Sequence, residues 1–479
     1  MKTTPKQNLI AAAPVGMLAL ITSTAAQAAE EITMSRNTIL TLIEYFPRFV
    51  LFLLALLCLS QPAIAADPDY SGDFLKRSTM TGDWGGTRNY LAGKGVTFDI
   101  DLTQTEQGVV SGGKNSSWEY GGRGDLTLLI DTGKLGLWPG GFLTAELEGN
   151  WGHGVNRSTG ALMPVNTNQI FPNPNEAGVA LPALNFTQFL SHYFGVIVGK
   201  LDILSADDNE FAHGKPYAKG NSQFMNTALN ANPTLLLDAP YTPLAAGLII
   251  LPTKDPKAAT IMLATFSSVG TAGTAGFNTL NANKLSFWGE GRVRTDFFGM
   301  TGHQLLGLIY SNKEFTSLDQ RLVNVATQQL QQVKGSWAAY YNFDQYIYEP
   351  KKGSGRGLGI FGRFGASDGK PNPMHYFLSL GVGGKGIAES RPNDSFGIGY
   401  YYMWIRNPTF TSPLGTREFL QDENGAEAYY NFALTPWALL TPDIQVVRGS
   451  QRQTAALLPA NRQDIETSVV MGVRLQLLF

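Results

Sequence analysis

Beyond residue 66, apolar and polar side chains alternate at every second position in runs of about ten residues, and clusters of Gly, Pro, Asn and Asp interrupt the runs. That period belongs to extended strands with two unlike faces, because successive side chains leave a pleated strand on opposite sides. The C-terminal run is the clearest. Val469, Met471, Val473, Leu475, Leu477 and Phe479 share one face, and Ser468, Gly472, Arg474 and Gln476 the other, with Val470 and Leu478 as exceptions. In 141–151, Leu143, Ala145, Leu147 and Trp151 oppose Thr144, Glu146, Glu148 and Asn150. In 120–131, Leu126, Leu128 and Ile130 oppose Arg123, Asp125, Thr127 and Asp131. Along 285–297 the polar face carries Ser286, Trp288, Glu290, Arg292, Arg294 and Asp296.

The pattern predicts sixteen strands, near 96–107, 120–131, 141–151, 184–190, 194–201, 244–252, 258–267, 285–297, 303–315, 334–346, 356–367, 375–385, 395–406, 423–434, 438–449 and 463–479. No run in this region is long and apolar enough for a transmembrane helix. A soluble sandwich or β-helix would alternate too. Charges of both signs in mid-strand, and connections that are long after odd strands (152–183, 202–243, 268–284, 316–333) and tight after even ones (191–193, 253–257, 298–302), favour an all-β transmembrane antiparallel barrel. An even strand count puts both termini on one side. Aromatic clusters near strand ends (Tyr340, Tyr341, Tyr346 and Tyr348; Tyr400, Tyr401, Tyr402 and Trp404; Trp437) suit interfacial girdles. Leu318, Leu322, Val325 and Val333 stand at near-helical spacing and predict a short helix in a long loop.

The N-terminus has a different logic. Lys2 and Lys6 precede an apolar run over 9–21 and Ala26-Gln27-Ala28. Met34 and Arg36 then precede a second apolar run around 50–57 that ends in Ala63-Ile64-Ala65. A basic start, an apolar middle and an A-x-A finish mark a secretory signal. Residues 1–65 are expected to be two tandem export-signal segments, removed after Ala65 and with Met34 as the true start. Residues 66–95 would form a periplasmic N-terminal segment with a short helix, and 96–479 the barrel.

Composition agrees. Charged residues are 15% of the 479, against roughly 25% in an ordinary soluble protein. The formal net charge of −2 offers no basic excess for phosphate contacts, so no nucleic-acid partner is expected. The single cysteine, Cys58, lies in the second signal-like run and excludes a disulfide scaffold or a Cys-rich metal site.

Met80-Thr81-Gly82-Asp83-Trp84-Gly85-Gly86-Thr87-Arg88, leading into the first strand, resembles the start of the carbohydrate-selective porin (OprB) family. Gly199-Lys200-Leu201-Asp202, Asn209-Glu210-Phe211-Ala212, Asn342-Phe343-Asp344-Gln345-Tyr346, the stretch Gly381 to Gly386, Arg391-Pro392-Asn393-Asp394 and Gly397-Ile398-Gly399-Tyr400 are similar to later motifs of that family. The resemblance spans roughly Phe74 to Phe479. It implies a sixteen-stranded barrel in the outer membrane of a Gram-negative cell that admits small sugars such as glucose by diffusion. It also implies that the terminal Phe479 is read by the outer-membrane assembly machinery.

Strand parity assigns to the lumen Asp99, Asp101, Arg123, Asp125, Glu146, Glu148, Trp288, Glu290, Arg292, Arg294, Asp296, Asn342, Asp344, Arg363 and Arg474. Both signs are well represented, whereas a strongly ion-selective pore would show rings of one sign. Arg and carboxylate groups can donate to and accept from sugar hydroxyls, and Trp288 offers a stacking face. These same charges could equally pair across the wall and hold its shape. Loop 202–243 is the candidate constriction, with Asp207, Asp208, Glu210, Phe211, Lys215 and Tyr217. Its acidic spacing is too irregular for a calcium loop, and no metal or cofactor is expected. The sequence has no H-E-x-x-H or P-loop, and no Cys nucleophile once Cys58 is set aside, so an enzyme is not expected. A general or anion-preferring porin is the alternative, and a barrel enzyme or adhesin with a packed lumen comes third. Lipid and lipopolysaccharide are the expected surroundings, and the sequence leaves monomer and homotrimer both open.

Overall fold

The computed structural model describes residues 68–172, 179–203, 209–213, 223–320, 330–412, 415–417, 420–454 and 463–479. The expectations for 1–65, for Asp207, Asp208, Lys215 and Tyr217, and for most of the 318–333 helix lie outside the described residues.

The alternating runs become strands β1 (Val96–Gly113), β2 (Trp118–Asp131), β3 (Gly141–Gly152), β4 (Val179–Phe189), β5 (Phe194–Lys200), β6 (Leu244–Ile250), β7 (Ala259–Ser267), β8 (Leu285–Arg294), β9 (Gly302–Thr316), β11 (Gln332–Tyr348), β12 (Gly357–Ser367), β13 (Met374–Lys385), β14 (Ser395–Ile405), β17 (Glu423–Thr435), β18 (Ala438–Arg448) and β19 (Glu466–Leu478). These sixteen form one closed antiparallel barrel, in which each pairs with the next along the chain and β1 pairs with β19 to shut the ring. Closure leaves no edge with unpaired N–H and C=O groups, the condition for crossing hydrocarbon with strands. The remaining strands, β10 (Asp319–Gln320), β15 (Thr409–Ser412) and β16 (Gly415–Arg417), belong to connections and form a separate three-stranded sheet.

Three boundaries differ from the periodicity. β1 runs on to Gly113, through a Gly-rich stretch without alternation, because β19 supplies partners across two register shifts. β4 begins at Val179, inside what reads as a loop. β8 stops at Arg294, since Asp296 (φ 46°) and Phe298 (φ 58°) take left-handed conformations and turn the chain. Asp296 is therefore a turn residue and not a strand position. At the described start of the stretch read as a loop helix, Asp319 and Gln320 are extended and pair with β15. The Gln320 amide holds the Ser317 and Gln331 carbonyls there.

Burial separates the two faces. On β9, Leu306, Leu308 and Tyr310 are exposed while His303, Leu305 and Ile309 are buried. Lipid-side apolar residues therefore read as exposed, the reverse of a soluble core. The girdle aromatics divide by parity. Tyr400 and Trp404 face outward, whereas Tyr340, Tyr346 and Tyr401 are buried inside. Trp437 lies in the short turn between β17 and β18, packs on Phe74 (4.8 Å) and donates from Nε1 to its carbonyl (2.7 Å).

Residues 68–95 lie against the rim that carries both described ends. Met80 N–H donates to the Leu478 carbonyl (2.7 Å) beside the β1–β19 seam. A left-handed run over Gly82, Trp84, Gly85 and Gly86 leads into helix α1 (Thr87–Gly93). There Arg88 is buried, donates to the Phe98 carbonyl (2.6 Å) and lies over the Tyr70 ring at 3.9 Å.

The Val470 exception has a packing cause. It faces inward and forms a small apolar cluster with Val109, Val447 and two loop residues, Val155 and Val165. V470A should lower unfolding stability in detergent by about 2 kcal/mol. The outward V473A should change it little, and urea titration of the folded-barrel band on unheated gels checks both.

Candidate functional site: the lumen and its inward loops

Two long connections enter the barrel, one at 153–172 and one at 209–213 and 223–243. Val155, Met163, Val165, Phe211, Phe224 and Leu229 are all buried, and their chain neighbours bond to inward-facing wall residues. The two loops also bond to each other. Thr167 N–H donates to the Met225 carbonyl (2.9 Å) and Thr227 N–H to the Pro164 carbonyl (2.9 Å). A short helix, α2 (Thr227–Asn230), is capped by the Asn226 side chain.

Inward glycines make this possible. A Cβ on Gly359 or Gly383 would come within 2.3 or 2.8 Å of the Phe211 side chain, and one on Gly397 within 2.7 Å of Phe224. The glycine-rich strand segments are thus clearance for loop side chains. Phe211 packs edge-on against Tyr346 (4.7 Å) and belongs to the largest interior cluster.

The lumen residues named from parity fall into two sets. The first is buried and engaged with loops or neighbouring strands. Arg123 bonds Asp125 (2.8 Å), pairs with Glu148 and donates to the Phe171 carbonyl (3.0 Å). Tyr241, stacked on Phe171 at 4.5 Å, donates to the same Glu148. Glu146 completes a carboxylate group with Asp125 and Glu148, whose oxygens lie within 4.8 Å of one another. Asn342 accepts from Asn209 Nδ2 (2.7 Å). Asp344 pairs with His303 (2.7 Å) and accepts the Glu210 N–H (3.2 Å). Arg363, fully buried, donates to the carbonyls of Leu229 (2.7 Å) and Ala212.

The second set remains accessible: Glu290, Arg292 and Arg294 are half-buried, and Glu210 is exposed. Arg294 pairs with Asp296 (2.7 Å), which also takes Lys352 (3.0 Å), so this group sits at the turn after β8. Trp288 is buried under Leu235, Ala239 and Ile203 and donates to Tyr340 Oη (2.7 Å), which in turn donates to Glu290. This packing leaves little of the indole face open.

Parity reading passed over several residues. Glu423 and Glu427 share the inward face of β17 with Asn431, and the same alternation would have identified them. His303 follows the same rule on β9. Tyr241 sits in an irregular loop and carries no local signal.

A sixteen-strand wall with inward loops and a mixed-charge lumen is a porin architecture, and comparison with known proteins places it further. The family model described as carbohydrate-selective porin, OprB family, matches residues 116–479. The chain belongs to this OprB family. The match begins beyond the Gly-Asp-Trp-Gly-Gly segment. Porin B of Pseudomonas aeruginosa is 25% identical over 140 residues, 26% of this chain, so the chain covers only 28% of that curated relative's length. The high-pH structure of Pseudomonas putida OprB superposes with a TM-score of 0.68 at 19% identity, covering 85% of this chain and 100% of that one, which shows a shared fold.

Asp238 provides a check on loop docking near the rim opposite the termini. Burial pushes its carboxyl up to about 7, against the opposing bond from Ser336 and with Asp368 adding to the rise. A carboxyl raised on folding favours the folded state below its unfolded value near 4, and that contribution is lost as pH climbs toward 7. The unfolding midpoint should therefore be higher at pH 5 than at pH 8, and D238N should flatten the difference. G383V is expected to cost about 1–3 kcal/mol by overpacking against Phe211, measured by the same unfolding titration.

Proposed function

We propose that the barrel is a passive channel through which small neutral sugars such as glucose diffuse across the outer membrane into the periplasm, and that it is not an enzyme. The observation that carries this reading is the accessible lumen lining. Glu210, Glu290, Arg292 and Arg294, two acidic and two basic groups, keep exposure in a barrel whose interior two loops pack against. Opposed charges keep a channel wet without a field of one sign, so an uncharged polyol meets no electrostatic barrier. The planar Arg fork and the carboxylates replace the water bonds of vicinal hydroxyls. Family membership supports the same reading and favours a pore over a catalyst.

Within this proposal, Glu290, Arg292 and Arg294 contact the solute, while Glu210 and Phe211, with residues 223–243 of the same loop, form the constriction. Arg123, Asp125, Glu146, Glu148, Asn342, Asp344 and Arg363 act one step back by holding the loops. Trp288 orients Glu290 through Tyr340, and Asp296 fixes Arg294 at the rim. Phe479, whose N–H closes onto the Ile100 carbonyl (2.8 Å), is the proposed signal to the assembly machinery.

The accessible Arg292 and Arg294 favour one second reading, an anion-preferring porin. Planar-bilayer recording separates the two. Under the sugar reading, glucose lowers ion current reversibly, and R292Q/R294Q weakens that block. A strong anion reversal potential without glucose block would establish the alternative, and the absence of any channel would overturn both. Deleting Phe479 is expected to lower the amount of inserted barrel several-fold, read from outer-membrane fractions.

A further inference from the structure

Loop backbone inside a barrel leaves water and needs new partners for its N–H groups. β17 supplies two. Glu423 accepts the N–H groups of Met163 (3.0 Å) and Leu162 from the first inward loop, of Ser450 (3.1 Å) from the β18–β19 connection, and the Tyr401 hydroxyl (3.2 Å). Two inward positions further along β17, Glu427 accepts the N–H groups of Met225 (2.6 Å) and Asn226 (2.8 Å) from the second loop. Both carboxylates are essentially fully buried. The two loops meet over these residues through the Thr167–Met225 and Thr227–Pro164 bonds. Neighbouring β18 reinforces the junction, since Gln445 donates to the Val165 carbonyl (2.9 Å) and accepts from Asn226 (3.1 Å).

We propose that Glu423 and Glu427 are positioning residues that lock the two loops into one crosspiece and thereby set the aperture and sugar retention of the channel. Each carboxyl group presents its two oxygens to consecutive backbone amides, an arrangement that an amide side chain cannot match. A glutamine offers one oxygen and turns an NH2 group toward a second N–H. The wall glycines Gly397 and Gly399 leave room beneath the same junction for Phe224 and Leu229, so the loops are seated close to the wall and held there.

The inference rests on the porin reading, and the experiment separates the two. Wild type, E423Q, E427Q, E427D and the outward-facing control E106Q are purified as heat-modifiable folded barrels and recorded in planar bilayers with and without glucose. E427Q and E423Q are expected to raise single-channel conductance, broaden the open-channel current and weaken glucose block. E427D, which keeps the carboxylate, should recover part of the wild-type behaviour, and E106Q should match wild type. Unchanged conductance and block in folded E427Q and E423Q would overturn the positioning role while leaving the channel intact. A wild type that conducts nothing would instead overturn the porin reading. Should E427Q fail to fold, E423Q and E427D carry the comparison.

Discussion

Pairing of buried backbone governs this molecule twice over. In the wall, hydrocarbon offers no hydrogen bonds, so the strands must close on themselves, and β1 with β19 completes that ring. In the lumen, two loops carry irregular backbone away from bulk water, where no ladder exists to satisfy it. Wall side chains take over that task. Arg363 and Arg474 donate to the loop carbonyls of Leu229 (2.7 Å) and Gln223 (2.6 Å), while Glu423 and Glu427 accept loop N–H groups.

This explains why so many charged side chains of the interior are buried and not lining water. A charge inside a barrel has two uses: it can face the solute, or it can hold the loop that does. Arg123, with Asp125 and Glu148 on one side and the Phe171 carbonyl on the other, serves the second use. Its desolvation is offset by several bonds at once, which a single ion pair would not achieve. Glu290 and Arg292 keep partial exposure. The narrowness of the passage and the firmness of its lining therefore come from one network.

The glycines complete the arrangement. On β12, β13 and β14, inward positions without a side chain give space to Phe211, Phe224 and Leu229, so the loops pack on the wall like a core turned inside the barrel. The wall thus has two different surfaces to satisfy, fluid hydrocarbon outside and fitted loop side chains inside. Only the inner one demands shape complementarity.

Periodicity located the sixteen barrel strands, and mid-strand charges with alternating connection lengths pointed to a barrel, because a membrane barrel imposes a two-residue repeat on every strand. The lumen set followed from the same parity, including Arg123, Glu148, Glu290 and Arg363. Parity could not say which of these stay open to solute. That depends on residues 153–172, 209–213 and 223–243, held by contacts between residues far apart in the chain, such as Glu427 with Met225 or Asn342 with Asn209. Tyr241 and the turn at Asp296 were illegible for the same reason: loop conformation is decided by long-range partners and by left-handed backbone, neither of which leaves a periodic trace. The sequence by itself determined the wall; tertiary structure decided the aperture, because only folding brings the loop amides to the carboxylates that hold them.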